Sequence, residues 1–372
     1  MLKNSRGFTL IELIVVMGIF VTVMAISSYA FQTVLSQAGQ QVKSVETEIE
    51  GVVGLEILRS DLAHAGLGLP WSLNGASYLE AAVAPNFPVT GVNSNLLNDA
   101  PNNPPRAVVS VNRGNSDGYD LNGADYLVIK TPAVGLSETA KKWGDYTAAG
   151  AEQNNSSPRF VNTDWVIAVN HRFNSVTQSD KIYRGKAIFS QVTSLKPQSP
   201  SDNISLYGVD PDNEPRMPFN RADYYIDRPT ETNSIPATCA PNTGILYKTT
   251  VINRVGGSGG GFSFNPLLDC VADMQVVYGL DTNGDGGVDL HADAPLATAA
   301  AIRTQLKEVR VYILAQEGGK DRNFTYPNTK VMVGEKIAGV DRGREFDFTN
   351  ANITEWRNYR WKIYTLVVRM YL

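Results

Sequence analysis

The stretch Gly7-Phe8-Thr9-Leu10-Ile11-Glu12-Leu13 opens the apolar segment that decides the fold of this 372-residue chain. The run Phe8–Ala30 carries one charge, Glu12, and is long enough to span a hydrocarbon core of about 30 Å. Lys3 and Arg6 precede it without any acidic residue, which predicts a cytoplasmic N-terminus and export of the rest. A secretory signal peptide fits less well, because its apolar region has roughly 7–15 residues and ends at a cleavage site.

A helical pattern continues beyond the apolar run. Apolar residues spaced by three and four form a heptad seam; they are Leu35, Ala38, Val42, Val45, Ile49 and Val52. No proline occurs before Pro70, which follows two glycines and suits a helix stop. The pattern predicts a helix over Phe8–Ala65, roughly 85–90 Å long at 1.5 Å per residue. Its transmembrane half is residues 8–30, and residues 31–69 form an amphipathic half that lies against an exported domain.

Glu12 is the costly residue of this segment. A carboxylate within a membrane span costs about 2.5–3.5 kcal/mol or more, so its presence indicates a partner that neutralises it. Because Glu12 lies close to a site where cleavage would create a new N-terminus, that partner is expected to be an amino group. A buried carboxylate and a buried ammonium each cost several kcal/mol alone and offset one another when paired. The alternative is an ordinary membrane anchor with a stray glutamate.

The residues around this site resemble the processing site of type IV prepilins and pseudopilins. Leader, glycine, phenylalanine, glutamate and unbroken helix occur in the same register. The resemblance implies that a prepilin peptidase removes the leader, residues 1–7, by cutting after Gly7, and methylates the new N-terminus at Phe8. It also implies that Glu12 accepts a charge-assisted contact from the N-terminal amine of a neighbouring subunit. Many major pilins have a proline within the membrane half of the helix, where this chain has Tyr29.

Several exported stretches are similar to minor pilins of the PilW type. These stretches are residues 122–127, 221–226, 239–247, 268–275 and 360–372. The resemblance implies a place in a small minor-pilin complex that starts pilus assembly, with other minor pilins, major pilins and the inner-membrane assembly platform as partners. The chain is also longer than a typical major pilin, which points to a specialised subunit.

Residues 70–372 predict an exported, β-rich globular domain. The chain is 43% hydrophobic and 19% charged, which is ordinary for a globular protein. Short runs of alternating valine, isoleucine, tyrosine and phenylalanine between turn clusters predict strands. These runs are Ala107–Asn112, Asp125–Lys130, Asp164–Asn170, Lys181–Phe189, Ala222–Asp227, Gly244–Ile252, Met274–Leu280, Glu308–Ala315 and Trp361–Leu372. With an alanine-rich helix at Pro295–Leu306, the expected class is α+β, a long helix packed on an antiparallel sheet.

The only cysteines, Cys239 and Cys270, both lie in the exported part. In an oxidising periplasm they could form a disulfide; two buried thiols are the alternative. A bridge would close a loop of about 31 residues and stabilise the domain by roughly 3–4 kcal/mol in the chain-entropy model. A zinc site is disfavoured, because His64, His171 and His291 lack ligand spacing.

Residues 281–289 match the first nine positions of an EF-hand calcium loop. Oxygen ligands at the expected spacing are Asp281, Asn283, Asp285, the carbonyl of Gly287, and Asp289. Ala292 stands where such loops have a bidentate glutamate, so Asp293 or water is expected to complete the set. Since a strand and not a helix leads in, we expect a lone loop that holds one calcium ion. The alternative is a favourable turn that binds no metal.

These patterns predict a structural protein, not an enzyme, because no nucleophile and base share a supporting motif. Loss of Lys3 and Arg6 with the leader would take the net charge from −4 to −6, which argues against nonspecific nucleic-acid binding. Basic and aromatic residues interleave over 356–371, which fits either a DNA-binding surface or a strand with an aromatic core face. The expected location is the inner membrane, in contact with lipid, with a periplasmic C-terminal domain, and later the pilus at the cell surface.

Two other functions remain open at the level of sequence. A minor pseudopilin of a type II secretion system, similar to the J type, has the same N-terminal helix but meets secreted substrates. The exported domain could also be a calcium-dependent adhesin or DNA receptor at a pilus tip. Loss of attachment or DNA uptake with pili intact would favour the receptor, whereas loss of pili would favour a role in assembly.

Overall fold

The computed structural model describes most of the chain as one long helix followed by an antiparallel, sheet-rich domain, so the α+β class is confirmed. The described residues are 9–73, 77–82, 87–89, 91–114, 123–146, 152–154, 158–161, 164–170, 204–209, 215–228, 235–257 and 259–371. The predicted strand at residues 181–189 and the leader, residues 1–7, lie outside these ranges.

Helix α1 (Leu10–Ala63) has 54 residues, about 81 Å at 1.5 Å per residue. Its C-cap is His64, whose N–H donates to the carbonyl of Ser60. The chain then turns through Gly68, where φ is +68° and an added Cβ would lie 2.7 Å from the ring of Tyr207. Only glycine combines that backbone angle with such close approach. The predicted stop before Pro70 is confirmed, with the helix ending two residues earlier than the pattern suggested.

Fourteen strands are described in the exported domain. They are β1 (Val108–Asn112), β2 (Asp125–Lys130), β3 (Trp143–Tyr146), β4 (Glu152–Asn154), β5 (Val166–Asn170), β6 (Ile204–Gly208), β7 (Arg221–Asp227), β8 (Gly244–Val251), β9 (Phe262–Leu280), β10 (Leu290–Ala292), β11 (Leu306–Glu317), β12 (Lys330–Ile337), β13 (Val340–Asp347) and β14 (Arg360–Arg369). The main sheet follows the order β1-β2-β7-β8-β9-β11-β14, with β10 paired to β9. The smaller sheet β4-β3-β6-β5 is inserted between β2 and β7.

The two faces of the main sheet carry separate cores. On one face, Leu58 and Leu62 of α1 are fully buried against the sheet. An added Cβ at Gly54 would lie 2.7 Å from the carbonyl oxygen of Leu267, so glycine lets α1 approach β9 closely. On the other face lies an aromatic core that includes Phe346, Phe348, Trp356, Tyr359 and Trp361.

The β12–β13 hairpin was not predicted from the sequence, and neither were β3, β4, β6 and β10. β3, β4 and β10 have only three or four residues, and the hairpin strands are rich in charged residues, so they lack the pattern of a half-buried strand. β6 does alternate, with Ile204 and Leu206 buried, and was missed. The hairpin is held on the sheet by Arg344, whose Nε and Nη2 donate to the two carboxylate oxygens of Asp273, both at 2.8 Å.

Two predicted elements differ most in extent from the observed ones, and several others differ by a few residues at their ends. The predicted strand Met274–Leu280 is the end of β9, which has 19 residues. The observed helix α2 (Ala299–Gln305) is shorter than the predicted one, Pro295–Leu306. It begins after its N-cap Thr298, and β11 follows directly at Leu306.

Cys239 and Cys270 form a disulfide across 31 residues of sequence, so the bridge is confirmed over the two free thiols. It ties the turn before β8 to the middle of β9.

Replacing both cysteines by serine is expected to lower the free energy of unfolding by roughly 3–4 kcal/mol, because the unfolded chain gains loop entropy. Urea unfolding of the full chain in detergent measures this difference. Dithiothreitol should destabilise the wild type and leave the double serine variant unchanged. Equal midpoints for both proteins would contradict a stabilising role for the bridge.

Asp125 of β2 is a buried acid within the main sheet. It is 3% exposed, its Oδ2 accepts from the N–H of Val276 at 2.7 Å, and its Oδ1 has no partner among the described residues. Burial raises the pKa of Asp125 to about 8, the N–H of Val276 opposes that rise, and the nearby Asp273 carboxylate adds to it. Asp125 is therefore protonated in the folded protein at neutral pH.

The Asp125→Asn variant is expected to gain stability relative to the wild type as the pH rises. The unfolded carboxyl ionises near pH 4 and the folded one near pH 8, so the wild type loses stability between these values and then levels off. The difference in unfolding free energy between the two proteins should therefore grow by about 2–4 kcal/mol from pH 5 to pH 8. Urea unfolding across this range measures it, and a constant difference would contradict the raised pKa.

Candidate assembly site on the N-terminal helix

Glu12 closes the first turn of α1 through a capping box with Thr9. The Glu12 N–H donates to Thr9 Oγ1 at 3.3 Å, and the Glu12 carboxylate accepts from the Thr9 N–H and hydroxyl, both at 2.9 Å. Such reciprocal bonds satisfy backbone donors that a helix N-terminus leaves free. The Thr-x-x-Glu spacing signals this box, but the sequence interpretation gave Glu12 an intersubunit role alone and missed Thr9.

The membrane-length segment of α1 is Leu10–Leu35, and none of it is covered by the rest of the described chain. Leu10, Ile14, Phe20 and other large apolar side chains on every side of the helix are more than half exposed. A helix that is apolar all round belongs in lipid or inside an assembly. Gly7 and Phe8, the predicted processing residues, lie outside the described part of the chain. The helix continues unbroken through Tyr29.

The stripe of α1 that packs on the exported domain differs from the heptad seam. Described contacts with the sheet begin at Gly51, where an added Cβ would lie 3.2 Å from the Tyr364 hydroxyl, and continue through Leu58. Seam residues Leu35, Val42 and Val52 are 55%, 67% and 60% exposed, so this apolar edge is available to other helices. Residues 31–69 are expected to lie along the domain; among the described side chains of this half, packing on the sheet starts at Gly51, about halfway along it.

In the predicted calcium loop, backbone N–H groups of the loop donate hydrogen bonds to its carboxylates. Asp281 accepts from the N–H groups of Gly284 at 2.6 Å and Gly286 at 2.9 Å. Asp289 accepts from the N–H and hydroxyl of Thr282 and from the N–H of Asn283, at 2.8–3.1 Å. These carboxylates therefore point into the loop.

The remaining predicted ligands lie partly within this loop and partly away from it. Asp285 Oδ1 accepts from the Gly287 N–H at 2.7 Å, and Asp285 Oδ2 from Asn283 Nδ2 at 3.1 Å. Asp293 instead accepts from the Gly343 N–H at 2.8 Å and lies 3.3 Å from Arg342 Nη1. No group of three acidic, histidine or cysteine side chains among the described residues is arranged to hold a metal. The oxygen donors suit calcium chemically, and the calcium site stays a prediction.

Most of the C-terminal aromatic residues are core residues: Trp356, Tyr359 and Trp361 lie in the aromatic core and Tyr364 lies on the face that α1 covers, whereas Tyr371 is exposed. Trp356 and Trp361 are buried, and the Trp361 Nε1–H donates to the carbonyl of Trp356 at 3.0 Å. The Arg357 guanidinium lies 4.7 Å from the Trp356 ring centroid, on the outer side. This arrangement agrees with a strand that has an aromatic core face, and it accounts for the interleaved basic residues by packing.

Two known protein families match parts of this chain. The family described as "Prokaryotic N-terminal methylation motif" matches residues 2–28, which include the capping box and most of the apolar segment. The family described as "Type IV Pilus-assembly protein W" matches residues 223–371, from β7 to the end of the sheet. This second range contains the disulfide, the 281–289 loop and the β12–β13 hairpin.

No curated protein and no solved structure matches the chain. The two family matches lie at opposite ends of the sequence, and they agree with the observed order of apolar helix and antiparallel sheet domain. The apolar helix and the methylation motif are those of a membrane-anchored, pilus-associated subunit. The chain thus combines a prepilin-type N-terminus over residues 2–28 with a PilW-type region over residues 223–371, and together these matches support a type IV pilin-like protein, a minor pilin related to the type IV pilus.

Proposed function

We propose that this minor pilin takes part in the initiation and assembly of the pilus. It enters the growing filament through helix packing and through a contact of Glu12 with the N-terminal amine of a neighbouring subunit. The observation that supports this proposal most strongly is the combination of an uncovered apolar helix with one carboxylate in its first turn. The chain acts by binding and polymerisation and has no catalytic role of its own.

The charge balance at the helix N-terminus explains why a neighbour is needed. Thr9 gives the Glu12 carboxylate two hydrogen bonds but no compensating charge. A desolvated carboxylate without an opposite charge is costly, whereas a paired ammonium offsets much of that cost. The neighbour's amine thus adds to the capping box and lowers the free energy of the assembled state. Further along the same helix, the exposed seam residues Leu35, Val42 and Val52 provide apolar contacts with neighbouring helices.

Processing and topology follow from the same segment. The prepilin peptidase cuts after Gly7 and methylates Phe8, which places the amine that pairs with a glutamate at the helix N-terminus. Before assembly the helix lies in inner-membrane lipid, with a cytoplasmic N-terminus and a periplasmic C-terminal domain. The partners are the other minor and major pilins and the inner-membrane assembly platform.

A deletion strain tests the role in assembly. Surface pili counted by electron microscopy should be lost and should return when the full chain is supplied in trans. Secretion of proteins to the medium should be unchanged. Normal pili with a secretion defect would instead indicate a pseudopilin, and normal pili with loss of attachment or DNA uptake would indicate a tip receptor.

We also propose that the loop at residues 281–289 binds one calcium ion. The support is the spacing of Asp281, Asn283, Asp285 and Asp289 together with the inward orientation of Asp281 and Asp289. Binding would fix the connection between β9 and β10. Asp293 would have to leave its contacts with Gly343 and Arg342 to join the ligand set.

Asp285→Ala is expected to abolish calcium binding, because it removes one carboxylate from an exposed loop without disturbing the core. Isothermal titration of the full chain in detergent with calcium chloride measures the effect. Asp341→Ala, which removes an exposed carboxylate near the start of β13, is the matched control and should bind like the wild type. Absence of a binding heat for the wild type would contradict the calcium proposal.

A further inference from the structure

Lys130 of β2 is a buried lysine that faces two carboxylates in the core of the exported domain. Its side chain is fully buried, and the side chains of Asp99 and Glu80 are 6% and 1% exposed. Nζ donates to Asp99 Oδ2 at 2.6 Å and to the carbonyl of Leu97 at 3.0 Å, and it forms an ion pair with Glu80 Oε1. An amine is thus held in contact with a carboxyl group, and a second carboxylate lies beside it.

The other buried lysines have a simpler environment. Lys142 pairs with Asp164 at 2.7 Å, and Lys248 pairs with Asp61 at 2.6 Å. Among the contacts of the described residues, each of these two lysines faces a single carboxylate. The second carboxylate at Lys130 supplies a proton acceptor next to the amine, which the other two sites lack.

The surroundings of Lys130 exclude water. Nζ lies 5.8 Å from the centroid of the buried Phe219 ring, and Tyr78 packs edge-on against that ring with 5.6 Å between centroids. Because the amine and the carboxyl group are already in contact, their coupling is an intramolecular step. A dry site also favours the amide, since its hydrolysis needs a water molecule.

Both carboxyl groups are fixed in place. Arg106 Nε donates to Asp99 Oδ1 at 2.6 Å, and the Arg106 backbone N–H donates to Asp99 Oδ2 at 2.8 Å. A guanidinium held at a carboxyl oxygen stabilises the negative charge that develops there when the carbon is attacked. Glu80 Oε2 accepts from the backbone N–H groups of Asp99 and Ala100, which keeps Oε1 directed at Lys130.

We propose that Lys130 and Asp99 become joined by an amide bond, with Glu80 as the proton acceptor. The proton of the 2.6 Å contact moves from Nζ to Oδ2, which leaves the nitrogen lone pair directed at the Asp99 carboxyl group. Nζ attacks Cγ, the C–N bond forms, and Glu80 takes a second proton from Nζ while Arg106 stabilises the charge on Oδ1. Glu80 then returns this proton to the Oδ2 hydroxyl, the C–Oδ2 bond breaks and one water leaves.

The pair is ionised before it reacts. Burial raises the pKa of Asp99, but the charges of Lys130 and Arg106 oppose this effect and bring the pKa below its usual value. The first proton transfer is therefore uphill, and coupling is expected to proceed slowly after the chain has folded. The bond ties the connection between α1 and β1 to β2, and it goes beyond the proposed function because it does not depend on assembly into pili.

Mass spectrometry of the purified full chain in detergent, kept folded for several days, tests the proposal. After reduction of the disulfide, the wild type is expected to be lighter than its sequence mass by one water. Trypsin should not cleave after Lys130, so residues 60–106 should be recovered joined to residues 114–141. Cleavage after Lys248 should be normal, and this lysine is the internal control.

Two variants distinguish the covalent bond from the ion pair. Lys130→Arg keeps the positive charge but is a poor nucleophile, and Glu80→Gln keeps an acceptor for the backbone N–H groups but no longer takes up a proton. Both are expected to keep their full mass, with circular dichroism as the check that each is folded. The proposal is overturned if the wild type keeps its full mass and is cleaved after Lys130, or if folded Glu80→Gln couples as fast as the wild type.

Discussion

Replacing Arg221 by methionine is expected to lower the free energy of unfolding of the exported domain by about 3–5 kcal/mol. Arg221 is fully buried on β7 and forms a bidentate pair with Asp223, at 2.7 and 2.8 Å. Its Nη1 also donates to Glu80 at 3.1 Å and to Asn98 at 2.5 Å. Loss of the guanidinium leaves the buried Asp223 carboxylate without a counter-charge and removes one of the two cations beside Glu80, which costs more than the lost contacts.

The network around Arg221 explains the size of this effect. Lys130 of β2 is also fully buried, donates to Asp99 at 2.6 Å and contacts Glu80. Glu80 and Asp99 lie in the connection between α1 and β1, so the network fastens this connection to the adjacent strands β2 and β7. A typical domain has about 5–15 kcal/mol of stability in total. The Arg221→Met variant is therefore expected to be close to unfolding at 37 °C.

Lys330→Met is the matched control for Arg221→Met. Lys330 forms a 2.7 Å ion pair with Glu345, but its side chain is 53% exposed. An exposed pair contributes about 0–1 kcal/mol, since water screens it. Urea unfolding of both variants in detergent should give a large shift for Arg221 and a small one for Lys330. Similar shifts for the two variants would contradict the stabilising role of the buried network.

Replacing Glu12 by alanine is expected to reduce surface pili at least about tenfold, because assembly then loses a charge pair between subunits. The alanine removes both the capping box with Thr9 and the carboxylate proposed to meet a neighbour's amine. Loss of a cap alone costs about 1 kcal/mol. The loss of a desolvated charge pair is larger, because the ammonium is left unpaired.

Pili are counted by electron microscopy in the native organism, with the membrane level of the protein as control. Glu56→Ala, an exposed glutamate of the same helix, should leave piliation unchanged. Thr9→Val, which removes the hydroxyl of the capping box but keeps the carboxylate, should cause a smaller loss than Glu12→Ala. A Glu12→Ala strain with normal pili would contradict the proposed contact.

Local patterns were sufficient for the helix and for several strands. The apolar run from Phe8 predicts α1 because, in lipid, a single segment can satisfy its backbone hydrogen bonds only as a helix. The predicted strand Asp125–Lys130 is identical to β2. The sequence left open a disulfide or two free thiols, and the two cysteines form the disulfide. In each case the signal lies within the segment itself.

Other features could not be predicted, because each depends on contacts with residues far away in the sequence. From the sequence, Lys130 and Arg221 look like surface residues of a strand. They are buried because Glu80 and Asp99, in the connection between α1 and β1, pair with them. The three-residue strand β4 pairs with β3, and its own composition does not favour a strand. A cleft beside β1 is lined mainly by three separate segments, residues 95–106, 109–112 and 293–303, so no single stretch of sequence indicates it.

The most direct test of the central claim is mass spectrometry of pili sheared from the cell surface. We expect the chain in this fraction, at far lower abundance than the major subunit, and beginning at a methylated Phe8. The Glu12→Ala protein should be absent from the pilus fraction while present in the membrane. Recovery of the wild-type chain in the membrane alone, from cells that carry pili, would contradict its assembly into the filament.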